Sequence, residues 1–154
     1  MTKQLFFYGA LGVVSTAVAF AFNRRLFSRT TAGRVTPLEG AFYAFGLLAL
    51  VLGWYFNVRY VHQHGVHASY VNYTKALFDN WASDSAAQDY VIVNVVLFPL
   101  WSIVDGRRRG MRVPWIFFVM SLFTSLAFSM AMYLAFVERQ NRYTRAGLVA
   151  SNTA

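Results

Sequence analysis

Three histidines fall within six residues, at His62, His64 and His67 of the stretch HQHGVH, and imidazole is a ligand for zinc or copper. His62 and His64 share a face only in a strand, whereas His64 and His67 approach each other only on a helical turn. The chain has no cysteine to complete a site, and the next carboxylate in sequence is Asp79. The expected state is a solvated or interfacial loop, with a metal-binding module as the alternative. The second chemical stretch is DGRRRGMR, where Arg107, Arg108, Arg109 and Arg112 follow an apolar run. Arg24 and Arg25 repeat that placement after the first apolar run. Guanidinium forks fit phosphate and carboxylate, so these arginines suit anionic lipid headgroups, at about 1 kcal/mol per basic residue near a membrane surface, or an acidic patch on a partner. The net charge of +8 is gathered in short clusters beside apolar runs and forms no continuous basic face, which argues against nucleic acid. Asp105 sits where a helix C-terminus disfavours a carboxylate, so it is expected to pair with a neighbouring arginine.

Catalytic motifs are not legible. There is no nucleophile-elbow pattern, no glycine loop for phosphate, and no histidine inside an apolar run to ligate haem. The expectation is a protein that is not an enzyme and carries no cofactor.

The elements that must carry these residues follow from composition. A chain of 154 residues that is 57% hydrophobic and 13% charged has more apolar surface than a soluble domain of that size can bury. Four runs hold the excess, at about residues 5–22, 37–58, 86–104 and 113–137. Each approaches the ~20 residues that cross a ~30 Å hydrocarbon layer as a helix. The fold class is therefore an all-α integral membrane protein, one domain over residues 1–154, with four transmembrane helices. The first run, with Lys3 before it and Ala19-Phe20-Ala21 within it, has some features of a cleavable signal, but Arg24 and Arg25 at its end favour a retained helix. Thr36, Pro37 and Glu39 form a start signal for the second helix, and Ser85 with Gln88 a similar box for the third. Gly106 suits the end of helix three, Pro114 the first turn of helix four, and Pro99 a kink beside the polar Asn94. Between helices two and three, Tyr70, Tyr73, Leu77, Phe78 and Trp81 fall on one helical stripe, which predicts a short interfacial helix over about 68–82.

Small residues mark where helices can approach. Ser121, Ser125 and Ser129 repeat every four residues in helix four, as Gly12 and Thr16 do in helix one. Gly46 and Gly53 add part of a third stripe. Such stripes serve internal bundle packing or a face for other membrane-protein subunits, such as a transporter permease. No charged residue lies centrally in a run, which argues against an ion path. For orientation, loops one and three carry eight basic residues against six for loop two and the termini. Positive charge marks the cytoplasmic side, so both termini are expected outside the plasma (inner) membrane of a bacterium.

From GWYFNVRYV through LFDNWASDSAAQDYVIV and DGRRRGMR to SLAFSMAMYLAFVERQ, the chain resembles a bacterial family of small membrane proteins known only as a domain of unknown function. The resemblance covers about residues 40–140, with glutamate usual in the family where Asp105 stands, and leaves helix one as an addition. The chain also resembles the small accessory subunits of mycobacterial Mce-type lipid importers. That resemblance implies a non-catalytic subunit beside the permease of an ATP-driven complex carrying fatty or mycolic acids. An accessory subunit of a respiratory complex, and a metal- or lipid-binding module using the histidine loop, remain alternatives.

Overall fold

The structure, a computed structural model, describes residues 3–28 and 33–152, and over these it is helical with no strand. Helix α1 is Lys3–Phe22, followed by a 3-10 turn at Arg24–Phe27; α2 is Pro37–His64 and α3 is Tyr70–Ala76. Helix α4, Trp81–Ile92, continues through a π turn at Val93–Leu97 into α5, Phe98–Arg108; then come α6, Ile116–Phe123, and α7, Leu126–Asn152. Three stretches are long and apolar enough to cross a membrane: Leu5–Phe22, Pro37–His67 and Trp81–Arg108.

Local chemistry explains most of the boundaries. The Thr36 hydroxyl accepts the Glu39 N–H at 3.2 Å to start α2, and Gly65, at φ +52°, ends it. Helix α4 begins earlier than the Ser85–Gln88 box predicts. Asn80 caps it, taking the Ala82 and Ser83 N–H groups at 3.1 Å each, and the Ser83 hydroxyl accepts the Asn80 N–H in return. Two successive boxes compete here, and the upstream one adds more than a turn. Pro99 has no N–H for the carbonyl one turn back and its ring crowds that carbonyl. The helix answers by widening, and the Phe98 N–H reaches the Val93 carbonyl five residues away. Gly106 does not end helix three; it lies in the last turn, where a Cβ would stand 2.6 Å from Pro114. The left-handed residue that ends the helix is Gly110, at φ +72°.

The helix expected over about 68–82 is shorter than its stripe. It stops at Ala76, and Trp81 belongs to the first turn of α4 with 91% of its surface exposed. Spacing alone carried the stripe across Phe78 to Asn80, where the backbone turns.

The largest departure concerns the fourth run, which is not one helix. Thr124 leaves helical geometry at φ −120°, ψ −92°. Its hydroxyl bonds back to the Met120 carbonyl at 2.7 Å, while the Ser125 hydroxyl accepts the Phe128 N–H at 3.1 Å and so starts a new helix. Hydroxyl side chains offer the backbone alternative partners, and two in succession suffice to break this segment. Ser129 closes the gap by donating across it to the Phe117 carbonyl.

Beyond the break the chain runs backwards. Ser125 lies beside Gly53, Phe128 and Ala131 pack on Gly46, and Arg139 meets Glu39, so α7 is antiparallel to α2. Helix α6 approaches the same depth from the Gly106–Pro114 contact and ends with Phe123 stacked on Tyr8. Together α6 and α7 form a hairpin that enters and leaves at one end of the bundle, the end that holds loops one and three. The C-terminal helix therefore lies opposite Lys3, against the expectation that both termini share a side. Among the described residues, that end carries Arg24, Arg25, Arg34, Arg107, Arg108, Arg109, Arg112, Arg139, Arg142 and Arg145, whereas the other carries only Lys3, Arg59 and Lys75. Arg29, counted with loop one in the sequence, lies outside the described residues.

The absence of native cysteine makes the hairpin directly testable. Single cysteines at Arg108 and Gly147 should respond alike to a membrane-impermeant thiol reagent in intact cells, and one at Ser69 should respond oppositely. A Gly147 cysteine that behaved like Ser69 would restore four spans.

Candidate functional site

The arginine end is a built structure as well as a charged surface. The Glu39 carboxylate is fully buried and is held by both Arg139 and Arg142. Arg139 also donates to the Leu26 carbonyl at 3.2 Å and lies 4.4 Å over the Phe27 ring. Arg142 donates to the Arg34 carbonyl at 2.6 Å. Nearby, buried Asn23 clamps the backbone of Arg112: its amide N donates to that carbonyl at 2.9 Å and its oxygen accepts that N–H at 3.0 Å. The clamp holds loop three next to Val113, whose φ of +54° is unusual for a β-branched residue. Asp105 does pair with a neighbouring arginine, Arg109 at 2.7 Å, and accepts the Tyr133 hydroxyl at 2.6 Å. Arg109 reaches on to Asn141, and Arg25 to the Gly110 carbonyl and the Tyr143 ring. Arg24, Arg107, Arg108 and Arg112 are exposed at the same end. The sequence missed both tertiary roles: Glu39 already has a local reading in the start signal of the second helix, and no pattern marks Asn23.

The histidines are at the other end and do not converge. His62, His64 and His67 are all exposed, and His64 stacks on Tyr60 with its Nδ1 3.0 Å from the Tyr60 carbonyl. No three potential ligating side chains form a metal-sized group among the described residues.

The small-residue stripes meet at the break. Ser121, Ser125 and Ser129 do not share one helical face, since the chain turns between the first two. Ser121 and Ser129 are buried, and Ser121 donates to the Phe118 carbonyl at 2.7 Å. Gly12 lets α1 touch the turn itself: a Cβ there would stand 2.8 Å from Thr124 and 3.0 Å from the Phe123 carbonyl. Thr16 bonds to the Gly12 carbonyl at 2.8 Å. Gly46 and Gly53 lie along α7 and the turn, where a Cβ would come within 3.3 Å of Ala131 and 3.9 Å of Ser125 respectively. Each stripe thus faces the hairpin.

Beyond the turn, toward the end with few charges, a cavity of about 660 Å³ opens between α1, α2 and α4. Its floor is Ser121–Ser125, its roof is Ala68–Thr74 with Leu77, and no charged side chain is among its described lining residues. Five tyrosines line it, Tyr8, Tyr60, Tyr70, Tyr73 and Tyr90, with Asn57 and Asn94 between them. Ring contacts organise the wall: Tyr8 with Tyr70 at 6.0 Å, and Tyr60 edge-on to Tyr73 at 5.2 Å. Burial, reinforced by Tyr70 and Tyr60, pushes the Tyr73 phenol up, so at neutral pH its hydroxyl remains a donor. Phe56, Tyr70 and Tyr90 are 63%, 57% and 43% exposed, so the space is open at its side. Its shape suits a molecule with an apolar body and a few polar atoms. Tyr70 and Tyr73, read from the sequence as part of an interfacial stripe, line this cavity.

Fold and site together define a small polytopic membrane protein. The chain belongs to the DUF2834 family, a protein family of unknown function, whose model matches residues 41–139. The match runs from the first turns of α2 to Arg139 and leaves α1 outside. No curated protein and no solved structure matches the chain.

The ion triad at the arginine end predicts a large mutational effect. Replacing Glu39 by Ala strands two arginines in a buried setting, and breaking such a pair costs about 3–5 kcal/mol. Thermal unfolding in detergent should report a loss of that order, with Glu138→Ala, a partly exposed neighbour, nearly neutral. Equal melting temperatures for both variants would remove the triad from the account of the fold.

Proposed function

We propose that this protein is a non-catalytic subunit of a larger membrane complex handling lipid, and that its part is to hold an amphipathic molecule in the tyrosine-lined cavity. The cavity carries the proposal: it is uncharged, laterally open and about 660 Å³ in volume. A lipid could enter it from the surrounding leaflet. The finer form of the proposal is an accessory subunit of the LucB kind, beside the permease of an Mce-type ATP-driven importer. Association is supported by the second span, of whose apolar window only 6% is buried within the chain. That surface faces lipid or neighbouring helices.

Orientation belongs to the same proposal. Among the described residues, ten basic side chains at one end against three at the other follow the positive-inside rule if the hairpin opens to the cytoplasm. The cavity then lies in the outer half of the bacterial plasma membrane, where an imported lipid arrives. The exposed arginines meet the anionic headgroups of the inner leaflet.

Native mass spectrometry after extraction in mild detergent tests both parts. The expected result is co-purification with other membrane subunits and a retained lipid-mass adduct. The adduct should fall at least fivefold when Ala86→Trp and Gly53→Leu together fill the cavity. Recovery of the wild-type protein alone and lipid-free would sink the proposal.

A further inference from the structure

Asn94 lies midway between Trp81 and Arg108, at the centre of the third span. It is 3% exposed, and it lines the cavity. Its amide nitrogen donates to the Tyr90 hydroxyl at 3.1 Å, while its carbonyl oxygen has no hydrogen-bond partner among the described residues. A buried unpaired acceptor is costly, and a donor that reaches it from the cavity removes that cost. The residue also sits inside the π turn Val93–Leu97. Such turns recur at functional sites. The π turn packs against α6, whose last residues form the cavity floor.

We infer that Asn94 is the specificity anchor of the cavity and selects an uncharged amphiphile with an O–H or N–H donor at its buried end. The donor goes to Asn94 Oδ1, and the apolar body lies along Val91, Val95, Leu122 and Phe123. The tyrosine hydroxyls near the mouth remain for further polar atoms. A carboxylate or phosphate at the buried end is disfavoured, because the described lining offers no cation to offset its desolvation. This inference rests on the lipid-holding role proposed above.

The test compares two probes, 1-hexadecanol and 1-methoxyhexadecane, which share the chain and the oxygen and differ in the O–H donor. Each is titrated into the full-length protein in detergent and read by native mass spectrometry. The wild type should retain the alcohol about tenfold better, the effect of leaving a buried acceptor unpaired. Asn94→Leu should hold both equally while keeping its helical content and melting temperature. Equal retention by the wild type overturns the anchor but leaves the cavity as a lipid site. A preference that survives in Asn94→Leu places the anchor elsewhere and also overturns it. Retention of neither probe by the wild type counts against the lipid-holding role itself. The wild-type comparison stands even if Asn94→Leu fails to fold.

Discussion

The Glu39 carboxylate, buried between Arg139 and Arg142, joins two residues about a hundred positions away in the chain and fixes α7 against the start of α2. A buried charge is tolerated only with its partners in place, so the C-terminal helix must return to the end of the bundle where α2 begins. Given that return, the fourth apolar run does not form one continuous helix. It has to descend, turn and come back, and the turn falls at Thr124 and Ser125, where hydroxyls satisfy the backbone. The Asn23 clamp on Arg112 holds the entrance of the same hairpin. Both legs are thereby anchored at one end.

A hairpin that stops short of the far end of the bundle leaves space beyond its tip. Helix α6 has eight residues, a length of about 12 Å, well short of a ~30 Å layer. The first half of the third span packs closely on neither α1 nor α2, and α3 closes the top. Irregular backbone at membrane depth is tolerated where it is buried in protein or lines a cavity, and here it does both. The glycines that allow close approach, Gly12 and Gly46, bring α1 and α2 onto the hairpin and so shape the floor and walls. The cavity is a consequence of the same constraint that sets the topology.

The two ends divide the chemistry. The hairpin end is dense in arginine, several of them engaged with carbonyls, carboxylates and rings, and others exposed. The cavity end carries hydroxyls, amides and aromatic rings with few charges. A molecule recognised there is selected by hydrogen bonds and shape, whereas the opposite end interacts through charge. The exposed histidines border the cavity end without forming a group of their own.

By itself the sequence determined the class: apolar content beyond what a small soluble domain can bury, helical runs of membrane length, the Thr36 cap, the Asp105–Arg109 pair and the family. These are local or compositional properties, and local physics is written in local residues. It mistook the start of α4, because two capping boxes follow each other, and the end of helix three, because Gly106 is needed for its lack of a side chain beside Pro114 and not for its backbone freedom. Only the tertiary structure decided that the fourth run turns back. Hydropathy does not distinguish a spanning helix from a hairpin when the turn is made by two hydroxyl residues, and the pairing that enforces it joins Glu39 to arginines about a hundred residues away. The same long-range closure set Tyr70 and Tyr73 beside the cavity and left the Asn94 carbonyl oxygen without a partner among the described residues, at the centre of the third span.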